Sequence, residues 1–429
     1  MPLDKGRGPK RVAVIGAGIS GMAAAHMLAD DHAVTLYEAE GRLGGHARTR
    51  MAGRDKDVAV DTGFIVFNYA NYPCLAALFA ELEVPVAPSN MSFGASIDGG
   101  ALEYGLVSLD ALFAQRRNLL KPKYWRMLRD IFHFNANGLK LAKDGMSTGD
   151  LLDALGTGEW FRDRYLLPFS GAIWSTPKAK IMDFPAKAMM TFFENHALLS
   201  ATGQHQWYTV QGGSIEYVKR LEASMVKKGV DIRLGAPIDC VNRTELGVHV
   251  MPVGADAEIF DEVVFATHSD DALRLLADAN AAETSALGSV GYQPNHVVLH
   301  SDASVMPRKK QVWSSWNYTE AAGKQDDQID LTYWMNKLQP LETEQDFFVT
   351  LNSTREIDPS LIWDEVVLRH PVYDAAALAA QDTVKAMNGA NNTWFCGAWL
   401  ANGFHEDGIK SAVEVVEAMR ATPALAAAE

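Results

Sequence analysis

The sequence predicts an α/β protein in which a parallel-sheet, dinucleotide-binding domain is interrupted by a second, α+β domain. Three observations predict it. The apolar strand Arg11 to Ile15 runs directly into Gly16-Ala17-Gly18-Ile19-Ser20-Gly21, the spacing G-x-G-x-x-G, and an Ala-, Met- and Leu-rich helical stretch follows. A second strand, Ala33 to Tyr37, ends on Glu38, about 20 residues beyond the glycines. A further strand, glycine turn and helix, carrying Gly397 and Gly408, lies near the end of the 429-residue chain.

Each residue of the first turn has a physical reason. Gly16 permits the tight exit from the strand. Gly18 lacks a side chain, so a pyrophosphate can approach the backbone. Gly21 lets helix and strand pack closely. The amides of Ile19 and Ser20 open the helix, where unpaired N–H groups and a partial positive charge favour phosphate. Glu38 stands where an acid accepts hydrogen bonds from an adenosine ribose. Together these make a complete βαβ fingerprint, which by itself does not separate NAD from FAD.

The next residues separate them. Glu38-Ala39-Glu40-Gly41-Arg42-Leu43-Gly44-Gly45-His46 resembles the E-x-x-x-R-x-G-G segment of glutathione-reductase-like FAD flavoproteins, most closely the amine oxidase and phytoene desaturase branch. The resemblance implies a glutathione-reductase-like FAD-binding Rossmann domain with an inserted α+β substrate domain. It implies that Arg42 neutralises the FAD pyrophosphate and that Gly44 and Gly45 let the backbone pass close to the cofactor. His46 falls in the same segment, where many amine oxidases carry arginine, so that side chain's flavin contact does not carry over. Asp61-Thr62-Gly63 resembles the D-x-G segment near the flavin, with Gly63 its glycine. VDIRLGAPIDCVNR resembles the strand pair on which adenine rests, with Ile238 supplying the backbone contact. Phe260 to Thr267, containing Ala266, resembles the segment that returns the chain to the FAD sheet.

The C-terminal unit resembles the last FAD motif of the same branch. There Gly397 ends a strand, and the helix opened by Asp407, Gly408 and Ile409 points its amides at the flavin pyrimidine ring. Reduction leaves negative charge on that ring, and a helix N-terminus stabilises it. Ala398 stands where many relatives carry an acid, with Asp407 or Glu406 as candidate substitutes. With its FHEDG ending and its DTGFIVFN segment, the chain resembles a bacterial group of FAD-dependent, amine-oxidase-like oxidoreductases. That group is associated with cyclopropane fatty acid synthase-like methyltransferases, and some members with dehydrogenation of methylated fatty acyl chains on the route to furan fatty acids.

Changes of character set the expected boundaries. Residues 1–90, 202–280 and 355–429 read as the FAD-binding domain, and 91–201 and 281–354 as the substrate domain. The second domain opens on a turn-rich stretch, MSFGASIDGG, before aromatic-rich helices. NHVVLHS, VWSSWNY and DLTYWMNKL read as strands. In the last, period-2 alternation places Thr332, Trp334 and Asn336 on one face, and Tyr333 and Met335 on the other. One face either lines a substrate cavity or belongs to the sheet core.

The expected activity is FAD-dependent dehydrogenation or desaturation of an apolar substrate, a fatty acyl or phospholipid acyl chain, with hydride passing to flavin N5. A flavin amine oxidase, a carotenoid-type desaturase or isomerase, and a flavin-stabilised assembly protein without turnover are the alternatives. Only one dinucleotide fingerprint is present, since Gly156-Thr157-Gly158 lacks a preceding strand. Electrons from the reduced flavin would then pass to oxygen, a quinone or another protein. His405 and Glu406 are the catalytic candidates because they sit in the flavin-facing turn. His405 titrates near neutral pH and suits a base, or else it is a structural histidine. Glu406 is alternatively a helix-capping acid. His268 has a weaker claim, and Lys337 reads either as a lysine holding water at the flavin or as a surface lysine.

Bulk properties narrow the partners. The net charge of −14 disfavours general binding to nucleic acid. Cys74, Cys240 and Cys396 form neither a disulfide framework nor a metal pattern, so a reducing cytoplasm and no structural metal are expected. Met1 to Lys10 has no apolar signal core, and no apolar run spans a bilayer. Cys396 does not by itself imply a thioether, and FAD is expected to be non-covalent. Residues 116–143 reverse the charge trend, with eight basic residues against the single acid Asp130 and with aromatics interleaved. That pattern suits either peripheral contact with the inner membrane face or a solvated helix over a packed core.

Overall fold

Arg11–Ile15 is apolar at every position after the first, and all four of those residues are buried. A strand buried on both faces belongs in the interior of a parallel sheet. The computed structural model places it there, and describes residues 8–174, 178–199, 203, 205–323 and 330–421. The sheet has five parallel strands in the order Asp231–Arg233, Ala33–Tyr37, Arg11–Ile15, Glu262–Phe265, Thr393–Phe395. Val12 and Val14 face one apolar cluster, and Ala13 and Ile15 face another. The period-2 alternation of the strand therefore serves two cores at once.

On the first face lies the helix Ile19–Leu28, apolar nearly all round and buried along its length. Such a helix needs neighbours on several sides. It has them in the sheet, in Ile215–Lys227 and in the C-terminal helix His405–Ala421. On the other face sit Ala375–Met387 and the antiparallel sheet of Ile238–Thr244, Gly247–Pro252 and Glu258–Phe260.

The second body is a seven-stranded sheet in the order Ile362–Val372, Gly291–His300, Phe348–Leu351, Asp330–Trp334, Trp316–Thr319, Phe93–Ile97, Leu102–Gly105. Its pairs are antiparallel, except that Trp316–Thr319 runs parallel to Phe93–Ile97. A helical layer including Pro122–Leu141 and Ala186–Asn195 shares an aromatic-rich core with this sheet.

Three expectations change. The stretch read as turn-rich holds the strand Phe93–Ile97, buried throughout, and only residues 98–101 form the hairpin turn. Its small residues fit because the sheet packs closely there: a Cβ on Gly94 would stand 2.4 Å from the Val312 carbonyl oxygen. The strand read through Leu338 stops at Trp334, and Met335–Leu338 turns into a short helix. The alternating face therefore ends at Trp334, and Thr332 is fully buried, bonded to Thr350 at 2.8 Å. Finally, the long strand Ile362–Val372 is the edge of the seven-stranded sheet, so a boundary at 355 falls too early. The chain rejoins the parallel sheet only at Thr393–Phe395. The tail beyond 421 lies outside the described residues.

Two polar contacts tie the bodies together beside the glycine turn. Buried Arg48 pairs with Asp364 on the edge strand, and Arg50 reaches the same carboxylate at 3.1 Å. Asp61 is buried and accepts from the Ser214 backbone at 2.9 Å, the Ser214 hydroxyl at 2.7 Å, Thr49 at 2.5 Å and the Gln339 amide at 2.9 Å. Removing an acceptor shared by four donors leaves buried groups unpaired, at about 1–3 kcal/mol for each donor that finds no substitute. Asp61→Ala is therefore expected to cost the protein on the order of 2–4 kcal/mol, read from the urea midpoint of the FAD-loaded protein. An unchanged midpoint would show that the network is dispensable.

Candidate cofactor and active site

The first turn is built by backbone-to-backbone approach. A Cβ on Gly21 would lie 1.8 Å from the Gly16 carbonyl oxygen, so helix and strand meet there without room for a side chain. Gly16 has φ +98, a left-handed conformation that favours glycine. The second glycine pair docks on the first. Gly44 donates to the Ala17 carbonyl at 2.8 Å, and a Cβ on Gly45 would sit 3.0 Å from the Gly18 Cα. Gly18 itself has no atom within 4 Å of a would-be Cβ, so its outer side is free for a ligand. The Arg42 guanidinium donates to the Gly45 carbonyl at 2.8 Å and pairs with Glu40 at 2.9 Å. Burial lowers its pKa, and Glu40 opposes that. Arg42 thus braces the turn that meets Gly18. Glu38 accepts from the amides of Ala17 at 2.7 Å and Glu40 at 2.9 Å, locking the strand end beside the turn. Ala236 donates to the Glu38 carbonyl at 2.8 Å, which brings the segment leading to Ile238 alongside. Ala266 donates to Ile15 at 2.8 Å, and its carbonyl stands over Gly16.

The C-terminal helix arrives at the same place. A Cβ on Gly408 would lie 2.9 Å from both Ile19 Cγ2 and Ser20 Oγ. Two helix N-termini therefore converge, and each contributes unpaired amides and positive potential. Ser411 fixes this arrangement: its hydroxyl accepts from Gly397 N–H at 2.9 Å and donates to the Gly408 carbonyl at 2.7 Å. Ile409 is buried in the core behind. Asp407 accepts from the amides of Phe404 at 2.9 Å and Asn402 at 3.2 Å, and burial raises its pKa to about 6.

Glu406, a catalytic candidate from the sequence, takes a structural part. Its two carboxylate oxygens accept from Cys74 N–H and Leu75 N–H, both at 2.9 Å, at the start of the helix Pro73–Glu81. It caps that helix, each oxygen accepting one amide. Ala398, where an acid was looked for, opens a short 3-10 turn, and neither Asp407 nor Glu406 is free to replace that acid.

His405 does reach the interior. Its ring stacks on Phe64, centroids 3.8 Å apart, and its Nε2 lies 3.2 Å from the Tyr217 hydroxyl. Gly63 is what admits Phe64, since a Cβ there would stand 1.9 Å from the His46 carbonyl oxygen. His46 in turn faces His268 and His370, at 5.9 and 5.6 Å between centroids. Its Nε2 is buried without a partner among the described residues. Burial lowers all four histidines: His46 falls below its usual value, and His268, His370 and His405 are held at about 3. Mutual repulsion adds to the effect, since His46 lowers each of the other three. At neutral pH this lining is uncharged.

Sequence reasoning missed several of these residues. Phe64 and Tyr217 were hidden because each reads as ordinary core by periodicity, and His370 because a single histidine in a strand carries no motif. Lys337 is exposed and lies over the Trp334 ring at 5.4 Å, which makes it a surface lysine. The group His268, Asp270 and Asp271 has metal-like spacing, but Arg369 pairs with both carboxylates.

Residues 19–336 match the family described as flavin containing amine oxidoreductase. The chain belongs to that family. It is an FAD-dependent oxidoreductase with the amine-oxidase-like fold. Similar solved structures include a CLA-producing fatty acid isomerase from P. acnes, 15% identical, with TM-score 0.67, covering 97% of this chain and 99% of that one. Putrescine oxidase bound to putrescine is also 15% identical, with TM-score 0.69, covering 96% and 99%. An L-amino-acid oxidase from Vipera ammodytes ammodytes is 46% identical over 54 residues, which is 12% of this chain and only 11% of that protein's length.

The residues present fit FAD. Gly18 offers an open backbone approach, Glu38 is held beside it by the Ala17 amide, two helix N-termini face one point, and the orphaned His46 Nε2 lies beside the paired glycines. Glu38→Ala is expected to lower FAD occupancy of purified protein, measured as the flavin-to-protein absorbance ratio. Unchanged occupancy would contradict the ribose assignment.

The histidines set a pH dependence. The unfolded chain binds a proton on each near the ordinary value of 6.5, whereas the folded protein holds three of them at about 3. Below pH 6.5 the unfolded state therefore binds more protons, and stability falls as pH falls through that window. The slope is on the order of 1 kcal/mol per pH unit for each histidine. The thermal midpoint of the FAD-loaded protein should drop steadily on acidification below about pH 6.5, and His370→Asn should flatten the drop. A midpoint indifferent to pH would contradict the depressed values.

Proposed function

We propose that this oxidoreductase dehydrogenates an apolar acyl substrate, a fatty acyl or phospholipid acyl chain, with methylated chains the first to test. The observation that carries the reading is the uncharged lining of the flavin-facing end. His405 and its histidine neighbours are neutral, Phe64 stacks on His405 with Tyr217 buried behind, and Glu406 and Asp407 accept from backbone amides. A cationic substrate entering this site would meet no free counter-charge, and desolvating it would go uncompensated. An alkyl chain carries no such penalty.

FAD, when bound, accepts two electrons as hydride from a substrate carbon. The chain's own residues do the rest. Phe64 and His405, the latter backed by the Tyr217 hydroxyl, form a wall that orients the chain, and apolar packing keeps water from the reacting carbons. The proton from the neighbouring carbon passes to water at the edge of this apolar wall as the double bond forms. A histidine held at about 3 is a weak base, so His405 serves mainly as part of the wall. Electrons taken from the substrate would pass on to oxygen, a quinone or a partner protein. Buried Cys396, its thiol pushed up to about 12, is poorly suited to a flavin thioether and agrees with non-covalent FAD.

Amine oxidation is the second reading. The family description and the short L-amino-acid oxidase match favour it. A neutral amine, unlike a diamine cation, suits the aromatic wall. Anaerobic bleaching of the flavin separates the two. Methylated or unsaturated phospholipids are expected to bleach it and a panel of amines to leave it oxidised; bleaching by amines alone would overturn the proposal. His405→Phe keeps a ring on Phe64 and should retain the reduction rate within about threefold. A loss of about a hundredfold or more would return His405 to the role of base.

A further inference from the structure

We infer that the segment 106–133 forms a docking surface for an anionic phospholipid bilayer. Four large apolar side chains stand out from it. Leu120 is 86% exposed, Leu109 76%, Phe132 65% and Trp125 49%. Scattered exposed leucines need no explanation, but these belong to one connected surface. Trp125 Nε1 donates to the Leu119 carbonyl at 2.9 Å, which sets Leu119 and Leu120 beside the start of the helix Pro122–Leu141. Phe113 packs on Trp125 at 5.4 Å, and Arg116 ties Phe113 to Asp110, next to Leu109. Trp125, Arg129 and Phe132 follow one another along the outer face of the helix at i, i+4 and i+7.

The charge of the same surface identifies the occupant. In a chain of net charge −14, residues 106–143 hold eight basic residues and two acids. One acid, Asp130, is buried, where it accepts from Gly158 N–H at 2.9 Å and its one carboxylate is shared between Arg126 at 3.7 Å and Arg129 at 3.1 Å, leaving a net positive charge; the other, Asp110, is paired with Arg116. What faces outward is therefore basic: Arg117, Lys123, Arg126 and Arg129 are exposed around the apolar tips. Leucine and tryptophan tips ringed by lysine and arginine match a surface that inserts shallowly and pairs with anionic headgroups. A second copy presenting this same face would be repelled by like charge. Among the described residues no helix is long and apolar enough to cross a membrane, so the contact is peripheral. The same helix ends beside a cleft of about 400 Å³ lined by Lys143, Pro185, Phe192 and Asn402. Phe192 stacks on Phe404, the neighbour of His405, at 5.3 Å. The docking itself stands on the exposed residues and does not depend on which substrate is used.

The experiment is flotation of the FAD-loaded protein with vesicles of phosphatidylcholine alone, or with about one third phosphatidylglycerol. The protein is expected to float with the anionic vesicles, less with the neutral ones, and to be released by salt. Leu109→Asp combined with Leu120→Asp should cut the bound fraction about tenfold or more. Leu246→Asp, at a residue 81% exposed in a distant hairpin turn, should leave it unchanged. Because all three sites are exposed, FAD content serves as the check that each variant is folded. Failure of the wild-type protein to float, equal flotation of the double variant, or self-association lost in the double variant in place of vesicle binding would each overturn the inference.

Discussion

Everything at the site depends on backbone meeting backbone with no side chain between. At Gly21 and Gly16 the gap is too small for a methyl group, and the same holds at Gly63 against His46. Close approach at Gly21 brings the helix Ile19–Leu28 hard onto the central strand, and so fixes where its N-terminus points. The C-terminal helix can then converge on that point only because Gly408 meets Ile19 and Ser20 without a Cβ. The FAD site is thus less a set of reaching side chains than a set of places where side chains are forbidden. Small losses of fit there are transmitted directly, because packed backbone has no flexible side chain to absorb them.

Close packing has an electrostatic consequence. His46, His268, His370 and His405 are enclosed by the same approach that brings the segments together, and burial is the first cause of each depressed pKa. Acids nearby could have restored their charge. Instead Asp270 and Asp271 are paired with Arg369, and Glu406 and Asp407 hold helix and turn amides. The acids of this region serve architecture, and the interior stays neutral. That neutrality is the basis for preferring an alkyl chain over a cation as substrate.

The sequence was most legible where one local rule decides the outcome. Gly16 to Gly21, Glu38 and the Gly44–Gly45 pair each answer to a single backbone requirement, and the strands Arg11–Ile15 and Ala33–Tyr37 fall where apolar runs place them. It was less legible where long-range contacts decide. Phe93–Ile97 looks like a turn because its residues are small, yet smallness is what a crowded sheet demands. Glu406 sits in a motif facing the cofactor, but its partners, Cys74 and Leu75, lie more than 300 residues away. Ile362–Val372 joins the second sheet through its pairing with Gly291–His300, a register no local pattern announces. His370 enters the cluster on that strand, and so was invisible too.

The most direct test of the neutral interior is a titration of the histidine rings themselves, by nitrogen-15 NMR of the ring-labelled, FAD-loaded protein. The structure predicts that His268, His370 and His405, assigned by single replacements, keep neutral-ring signals well below pH 6.5. If the three titrate near pH 6.5 like a free imidazole, the interior is polar and wet, and both the depressed pKa values and the preference for an apolar substrate are wrong.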